Sequence, residues 1–281
     1  MLVLEASNIK KYYSDRLILE FDELKVFTGD RIGIVGQNGS GKTTLLNILS
    51  NETEPDEGFA RQYCNAAYIR QFSEDSVCAD PKSLKEFKIV QLTQQEALSG
   101  GEKTRIKIAN AFSRDNLLLF ADEPTASLDY KGVELFKQKI SEVDTFLLIS
   151  HDRDLLDGLC NKIIEIKDGK LKTYNGNYSF YRIKLQEEME RMQSEYLKYQ
   201  DEKTKLEEVY TYRKRLASDI GKKPRVKGSL YADSSSARSK GTQEKNMHRA
   251  ANAILTRLEK LEVKEKPKEP PKIKLDFTLT C

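Results

Sequence analysis

The stretch Gly36-Gln37-Asn38-Gly39-Ser40-Gly41-Lys42-Thr43-Thr44 packs three glycines, one lysine and three hydroxyls into nine residues. It fits the pattern G-x-x-x-x-G-K-[ST]. It follows the apolar run Arg31–Val35 and leads into the helix-like "TTLLNILS". That flanking context separates it from an ordinary glycine-rich turn. The glycines let backbone N–H groups curl around phosphate oxygens, and Lys42 carries a positive charge to the β and γ phosphates. The Thr43 hydroxyl is placed to ligate Mg²⁺. Gly36, Asn38, Gly39, Ser40, Gly41, Lys42, Thr43 and Thr44 are therefore the candidate nucleotide-binding residues.

A second set of residues could carry the chemistry on that phosphate. The apolar run "LLLFADE" ends in Asp122 and Glu123. A buried carboxylate is costly unless it meets a cation, so Asp122 is expected to hold the Mg²⁺ shell, directly or through water. Glu123 is expected to orient and deprotonate an attacking water, the base that phosphoryl transfer requires. Taken alone, such a pair also resembles a helix cap. "LLISHD" repeats the strand-then-polar pattern and ends at His151, one of two histidines in the chain. It is read as a γ-phosphate sensor or water-positioning group, against a purely structural histidine. Gln71, after "AAYIR", is a candidate Mg²⁺ or water contact, against an ordinary turn glutamine. Finally, "LSGGEKTRIKIANAF" sets Ser99, Gly100, Gly101 and Glu102 before a helix, a second place where exposed N–H groups would attract phosphate.

The elements that must position these groups are legible in outline. Short, turn-bounded apolar runs at Arg31–Val35, Ala67–Ile69, Leu117–Ala121, Thr145–Ile149 and Ile163–Ile166 suit buried strands. Helix-like segments separate the central ones, which argues for an α/β sheet with crossovers. The opening "LVLEASNIKKYY" and "RLILEFDELKV" alternate more, as an antiparallel pair would. From about residue 180 the character changes. Residues 181–217 contain no Gly or Pro, and Leu185, Met189, Met192, Tyr196, Tyr199, Leu206 and Tyr210 step as a heptad seam with Lys203 in its gap. Met247, Ala251, Ile254, Leu258 and Leu261 make a second seam, so the two helices are predicted to form an antiparallel hairpin.

Composition sets limits on the rest. The chain has 281 residues, 38% apolar and 32% charged, with net charge +3. Global basicity therefore does not announce a nucleic-acid partner, and the distribution of charge matters more. Residues 211–250 carry eleven Lys or Arg and three Asp or Glu, or +8, which leaves −5 for the remainder. Lys222, Lys223, Arg225, Lys227, Arg238 and Lys240 are the candidate RNA-facing residues, in a basic loop expected at about 219–243. A solvated loop is the alternative. Four cysteines without a CxxC spacing argue for reduced thiols. With no apolar run of membrane-spanning length and no signal-peptide layout, the expectation is a cytoplasmic protein.

Together these motifs resemble the ATP-binding cassette family: the P-loop at 36–43, Gln71, "LSGGE" at 98–102, "LLLFADE" at 117–123, "SLD" at 127–129 and His151, in that order. The resemblance implies a P-loop NTPase cassette with a mixed sheet and flanking helices, a small antiparallel β part and a short helical subdomain. It implies ATP and Mg²⁺ as cofactors and ATP hydrolysis as the activity. It assigns adenine stacking to Tyr13, with Tyr12 as the nearby choice. By the same resemblance, Ser99, Gly100, Gly101 and Glu102 close over the γ-phosphate of a facing cassette, and Asp129 lies at the interface between cassettes.

Only residues 72–97 separate Gln71 from the LSGGE element, which leaves little room for the membrane-subunit docking surface of a transporter cassette. With the hairpin and "EKPKEPPKIKLDF" after it, the layout resembles the ABC-F branch, and within it antibiotic-resistance members of the Vga and Lsa type. That implies a ribosome partner (rRNA and tRNA, at the tRNA exit site), a facing second cassette or a homodimer, and no membrane subunit. The expected organisation is a cassette over 1–176, a hairpin linker over 177–264, and over 265–281 a Pro/Lys linker leading into the first strand of a truncated second cassette. "DEPTNHLD" of the family reads "DEPTASLD" here, with the acids kept. The competing readings are the ATPase subunit of a membrane transporter, or a fragment that binds ATP without efficient turnover.

Overall fold

The computed structural model describes residues 1–70, 100–112, 116–222, 234–264 and 266. Gln71, Leu98, Ser99, Lys223, Arg225 and Lys227 lie outside the described residues, as does the terminal "IKLDFTLTC". The chain divides into two compact units, Met1–Ile183 and Lys184–Cys281.

The first unit holds two sheets. Strands β1 (Leu2–Tyr13), β2 (Arg16–Phe27) and β4 (Glu57–Gln62) form an antiparallel sheet in the order β2-β1-β4. The alternation visible in the sequence buries Val26, Leu24, Leu4 and Ala6 on its inner face. The second sheet is six-stranded, in the order β5-β6-β7-β3-β8-β9. Its strands are β3 (Arg31–Gly36), β5 (Ala66–Ile69), β6 (Leu118–Asp122), β7 (Phe146–Ile149), β8 (Lys162–Lys167) and β9 (Lys170–Tyr174). All neighbours run parallel except β8 and β9.

Every residue of β6 and β7 is buried, which explains why these strands read as unbroken apolar runs rather than alternating ones. Helix α1 (Lys42–Leu49) lies between the sheets, and its Leu45, Leu46, Ile48 and Leu49 join Ile32, Ile34, Phe120, Leu147 and Ile149 in one core. Helices α2 (Gly100–Phe112), α3 (Tyr130–Ser141) and α4 (Arg153–Leu159) complete the unit. The Phe112 ring meets Phe136 edge to face at 6.5 Å, joining α2 to α3.

The second unit carries most of α5 (Tyr178–Lys222) and all of α6 (Ser234–Lys260). The seam residues are half-buried or buried, except Met192, which is exposed. Arg257 pairs with Glu202 at 3.0 Å and Lys264 with Glu195 at 3.8 Å. One step of seven forward on the distal segment is matched by seven backward on α5, which is antiparallel heptad packing. These pairs are exposed, so the apolar seam rather than the ions holds the hairpin.

One expectation is corrected. The basic loop expected at about 219–243 is shorter, because α5 runs to Lys222 and α6 begins at Ser234. Lys222, Arg238 and Lys240 are therefore helical. Gly221 falls in the last turn of α5 and Gly241 inside α6, where a glycine costs about 1 kcal/mol against alanine.

Candidate nucleotide site

The strand order brings the chemistry together. Strands β6, β7 and β3 are side by side, and Asp122 pairs in register with Ile149. The carboxyl end of β3 opens into the P-loop, that of β6 into Asp122-Glu123, and that of β7 into Ser150-His151. Segments about eighty residues apart thus meet at one edge, where open α/β sheets bind ligands.

The P-loop is shaped by its glycines. Gly41 precedes α1 in the left-handed region, with φ 98°, and a β-carbon there would lie 3.0 Å from Ile18 and 3.1 Å from Leu19. That contact also sets the β2 start against the loop. A β-carbon on Gly36 would meet the Ile166 carbonyl at 2.6 Å. Lys42 Nζ donates to the carbonyls of Gly36 at 2.9 Å and Gln37 at 3.0 Å. Burial pushes the Lys42 ammonium below its ordinary range, opposed by the charges of Glu123 and Asp122. Ser40 Oγ is buried and has no hydrogen-bond partner.

The acid pair is buried in two different ways. Asp122 is almost fully enclosed, and burial raises its pKa, while a hydrogen bond with the Thr43 hydroxyl and the Lys42 charge pull the other way. A hydroxyl and a carboxylate in contact are the hard oxygen donors that Mg²⁺ takes. Glu123 also has a raised pKa, chiefly from burial, with His151 opposing it through its charge and its backbone. Glu123 Oε1 has no hydrogen bond, and His151 Nε2 stands 3.4 Å away. The side-chain exposures differ sharply, 13% for Glu123 and 68% for His151. A buried base therefore sits beneath an imidazole that reaches solvent. Glu123 adopts φ 48°, rare for a non-glycine residue, and such strain collects at functional positions.

His151 is held by its neighbours. Ser150 Oγ accepts from the Asp152 N–H at 3.0 Å. Asp152 caps α4 by accepting from Asp154 N at 3.0 Å and Leu155 N at 3.1 Å. Asp152→Ala is expected to cost about 1 kcal/mol, read as a lower urea midpoint at unchanged slope.

The remaining expected residues fall elsewhere. Gly100, Gly101 and Glu102 open α2, and a β-carbon on Gly101 would lie 3.0 Å from the Ser127 carbonyl. Asp129 caps α3 through Gly132 N at 3.0 Å and also accepts from Arg105 at 2.5 Å. Through these contacts the start of α2 packs beside the Ser127–Asp129 segment. Sequence reasoning misses Arg105, whose only signal is a cation one turn after Gly101. Tyr13 and Tyr12 are both exposed at the tip of the β1–β2 hairpin, Tyr13 the more so, with Lys11 Nζ 6.0 Å from the Tyr13 ring centre. Thr44 is buried in the start of α1.

A phosphate-cradling loop backed by a buried acid pair defines a P-loop nucleotide site. Families described as ABC transporter match the chain over residues 19–83 and 79–126 and, for a second family of that description, 164–220. The fold is similar to a dimeric ATP-binding cassette bound to ADP and Pi (TM-score 0.54, 21% identity, 61% of this chain and 98% of that one). It is also similar to a nucleotide-free cassette from an ABC transporter (TM-score 0.53, 21% identity, 63% and 92%).

Among curated proteins, the ribosome protection protein VmlR of Bacillus subtilis is 34% identical over 70% of this chain and 37% of its own length. The erythromycin resistance ATP-binding protein MsrA of Staphylococcus epidermidis is 30% identical over 93% and 55%. The energy-dependent translational throttle protein EttA of Haemophilus influenzae is 31% identical over 64% and 37%. The chain has the fold of an ATP-binding cassette, and the curated proteins it resembles are of the ABC-F type and include resistance proteins. It spans about a third to a half of the length of these relatives.

Proposed function

We propose that this chain is the nucleotide-hydrolysing and ribosome-facing part of an ABC-F ATPase that protects the ribosome from antibiotics. The observation that carries the reading is the convergence of Lys42, Thr43, Asp122, Glu123 and His151 on one sheet edge, in a chain whose relatives are named for ribosome protection, erythromycin resistance and translational control. Lys42 and the P-loop amides hold the ATP phosphates. Thr43 and Asp122 hold Mg²⁺, with Gln71 as the further contact the family resemblance implies, and the ion neutralises phosphate charge. Glu123 takes the proton from the attacking water, and His151 orients it. Tyr13 stacks on adenine.

Gly100, Gly101 and Glu102, with Ser99, face ATP held by another cassette, supplied by a longer chain or a second copy. That assignment follows the family resemblance. The cassette occupies residues 1–176 and the hairpin linker 177–264, and the protein works in the cytoplasm. Among the described residues no helix is long and apolar enough to cross a membrane.

The hairpin end is the RNA contact in this reading, supported by the +8 charge of residues 211–250. Replacing Lys222, Lys223, Arg225 and Lys227 together by Gln should lower the salt slope of ribosome binding by about one per phosphate contact removed. Pelleting with ribosomes across a salt series measures it. An unchanged slope would remove RNA contact from this segment and with it the ribosomal role proposed for the hairpin.

A further inference from the structure

The first turn of α5 is fastened to the cassette by groups that no nucleotide-binding role uses. Tyr181 OH donates to Glu165 Oε1 at 3.0 Å, and Tyr174 OH donates to Glu165 Oε2 at 3.1 Å, so both carboxylate oxygens are taken. The two rings stand edge to face at 4.9 Å, Tyr178 lies 5.7 Å from Tyr181, and both Tyr174 and Tyr181 are buried. Burial and the Glu165 charge hold both hydroxyls above their ordinary pKa, so both stay protonated and donate. A second fastening comes from α4, where Asp157 Oδ1 accepts from Ser179 N at 2.6 Å. Asn177 closes the turn, its Oδ1 accepting from Phe180 N at 3.0 Å.

Both anchors sit on segments that adjoin the P-loop or His151. Glu165 pairs in register with Val35 on β3, and its neighbour Ile166 pairs with Gly36, where the P-loop opens. The Ile166 carbonyl is the atom on which Gly36 rests. Asp157 belongs to α4, the helix that begins two residues after His151. The root of the hairpin helix is thus tied to the loop that grips phosphate and to the segment that carries the imidazole.

We propose that Glu165, Tyr174, Tyr181 and Asp157 form a clasp through which nucleotide occupancy is read at the root of α5. Glu165 and Asp157 are positioning residues in it and touch no reacting atom. The proposal rests on the ATP-site reading above and adds the route by which that site reaches the hairpin. A carboxylate shared by two buried hydroxyls is a discrete arrangement, either closed or open, which is what coupling between sites needs.

The test is amide hydrogen exchange of residues 178–183 in the full 281-residue chain, with and without a saturating non-hydrolysable ATP analogue and magnesium. In the unsubstituted chain the analogue is expected to slow exchange there about tenfold, within the usual range of coupling between sites. Tyr181→Phe keeps the ring and loses only the hydroxyl. Its response should fall below about threefold, while its affinity for the analogue stays within about threefold. Asp157→Ala, which removes the second fastening, should weaken the response in the same way. A response in both variants as large as in the parent overturns the clasp, and so does the lack of any response in a parent that binds the analogue. Failure of the parent to bind at all would instead bring down the ATP-site reading and the clasp with it.

Discussion

Glu123→Gln is expected to lower ATP turnover by about 10²- to 10³-fold while leaving nucleotide binding intact, the loss typical of removing a general base. Glu123 meets the requirements of that role in its burial, its unbonded Oε1 and its position beside His151. The amide is nearly isosteric, so it keeps the φ 48° backbone and the packing and removes only the basicity. ATP-bound protein should then accumulate, visible as nucleotide retained after rapid gel filtration. Turnover equal to the parent's would remove Glu123 from the base role.

The raised pKa of Glu123 adds a signed pH dependence. Only the ionised carboxylate accepts the proton, so activity should fall as pH drops through a value above the ordinary carboxylate range. The residual rate of Glu123→Gln should lack that limb. Stability runs the other way. A carboxyl whose folded pKa is raised contributes its full stability below its unfolded value and loses it as pH rises through the folded one. The glutamine variant escapes that loss, so its Tm should gain on the parent's as pH rises.

Lys42→Ala is expected to weaken ATP binding about 10- to 100-fold, since a hydrogen bond to a charged group is worth about 1.5–3 kcal/mol. Lys42 is half-buried with its ammonium held by the Gly36 and Gln37 carbonyls, so it is already delivered to the loop before phosphate arrives. Preorganisation of that kind makes the loss one of affinity rather than of folding. Titration calorimetry with ATP and magnesium measures it, and equal affinity would displace the site from this loop. Arg is not an equivalent replacement, because a planar fork cannot occupy the space of a point charge between two carbonyls.

Legibility differs between elements for physical reasons. Strands β3, β6 and β7 are buried on both faces, so their composition alone marks them. The hairpin seam is visible because a heptad pattern is local and unbroken by Gly or Pro. Helix α6 begins earlier than the sequence suggests, since polar and basic residues such as Arg238 and Lys240 suit a helix as well as a loop. The P-loop is legible because its chemistry lies within nine consecutive residues. Arg105, Glu165 and Asp157 carry little local signal, because each acts on a residue far away in the chain.

By itself, the sequence determined the residue types of the site, the apolar strands that end in them, the helical hairpin and the charge asymmetry of its far end. Those are properties of short windows, governed by period, composition and turn chemistry. Only the tertiary structure decided that β7 lies between β6 and β3, which sets His151 between the acid pair and the phosphate loop. It alone put Arg105 of α2 with Asp129, and gave the first turn of α5 to Glu165. Strand order and such pairings are settled by the burial of whole faces against one another. That energy is spread over many distant residues, and no window of sequence contains it.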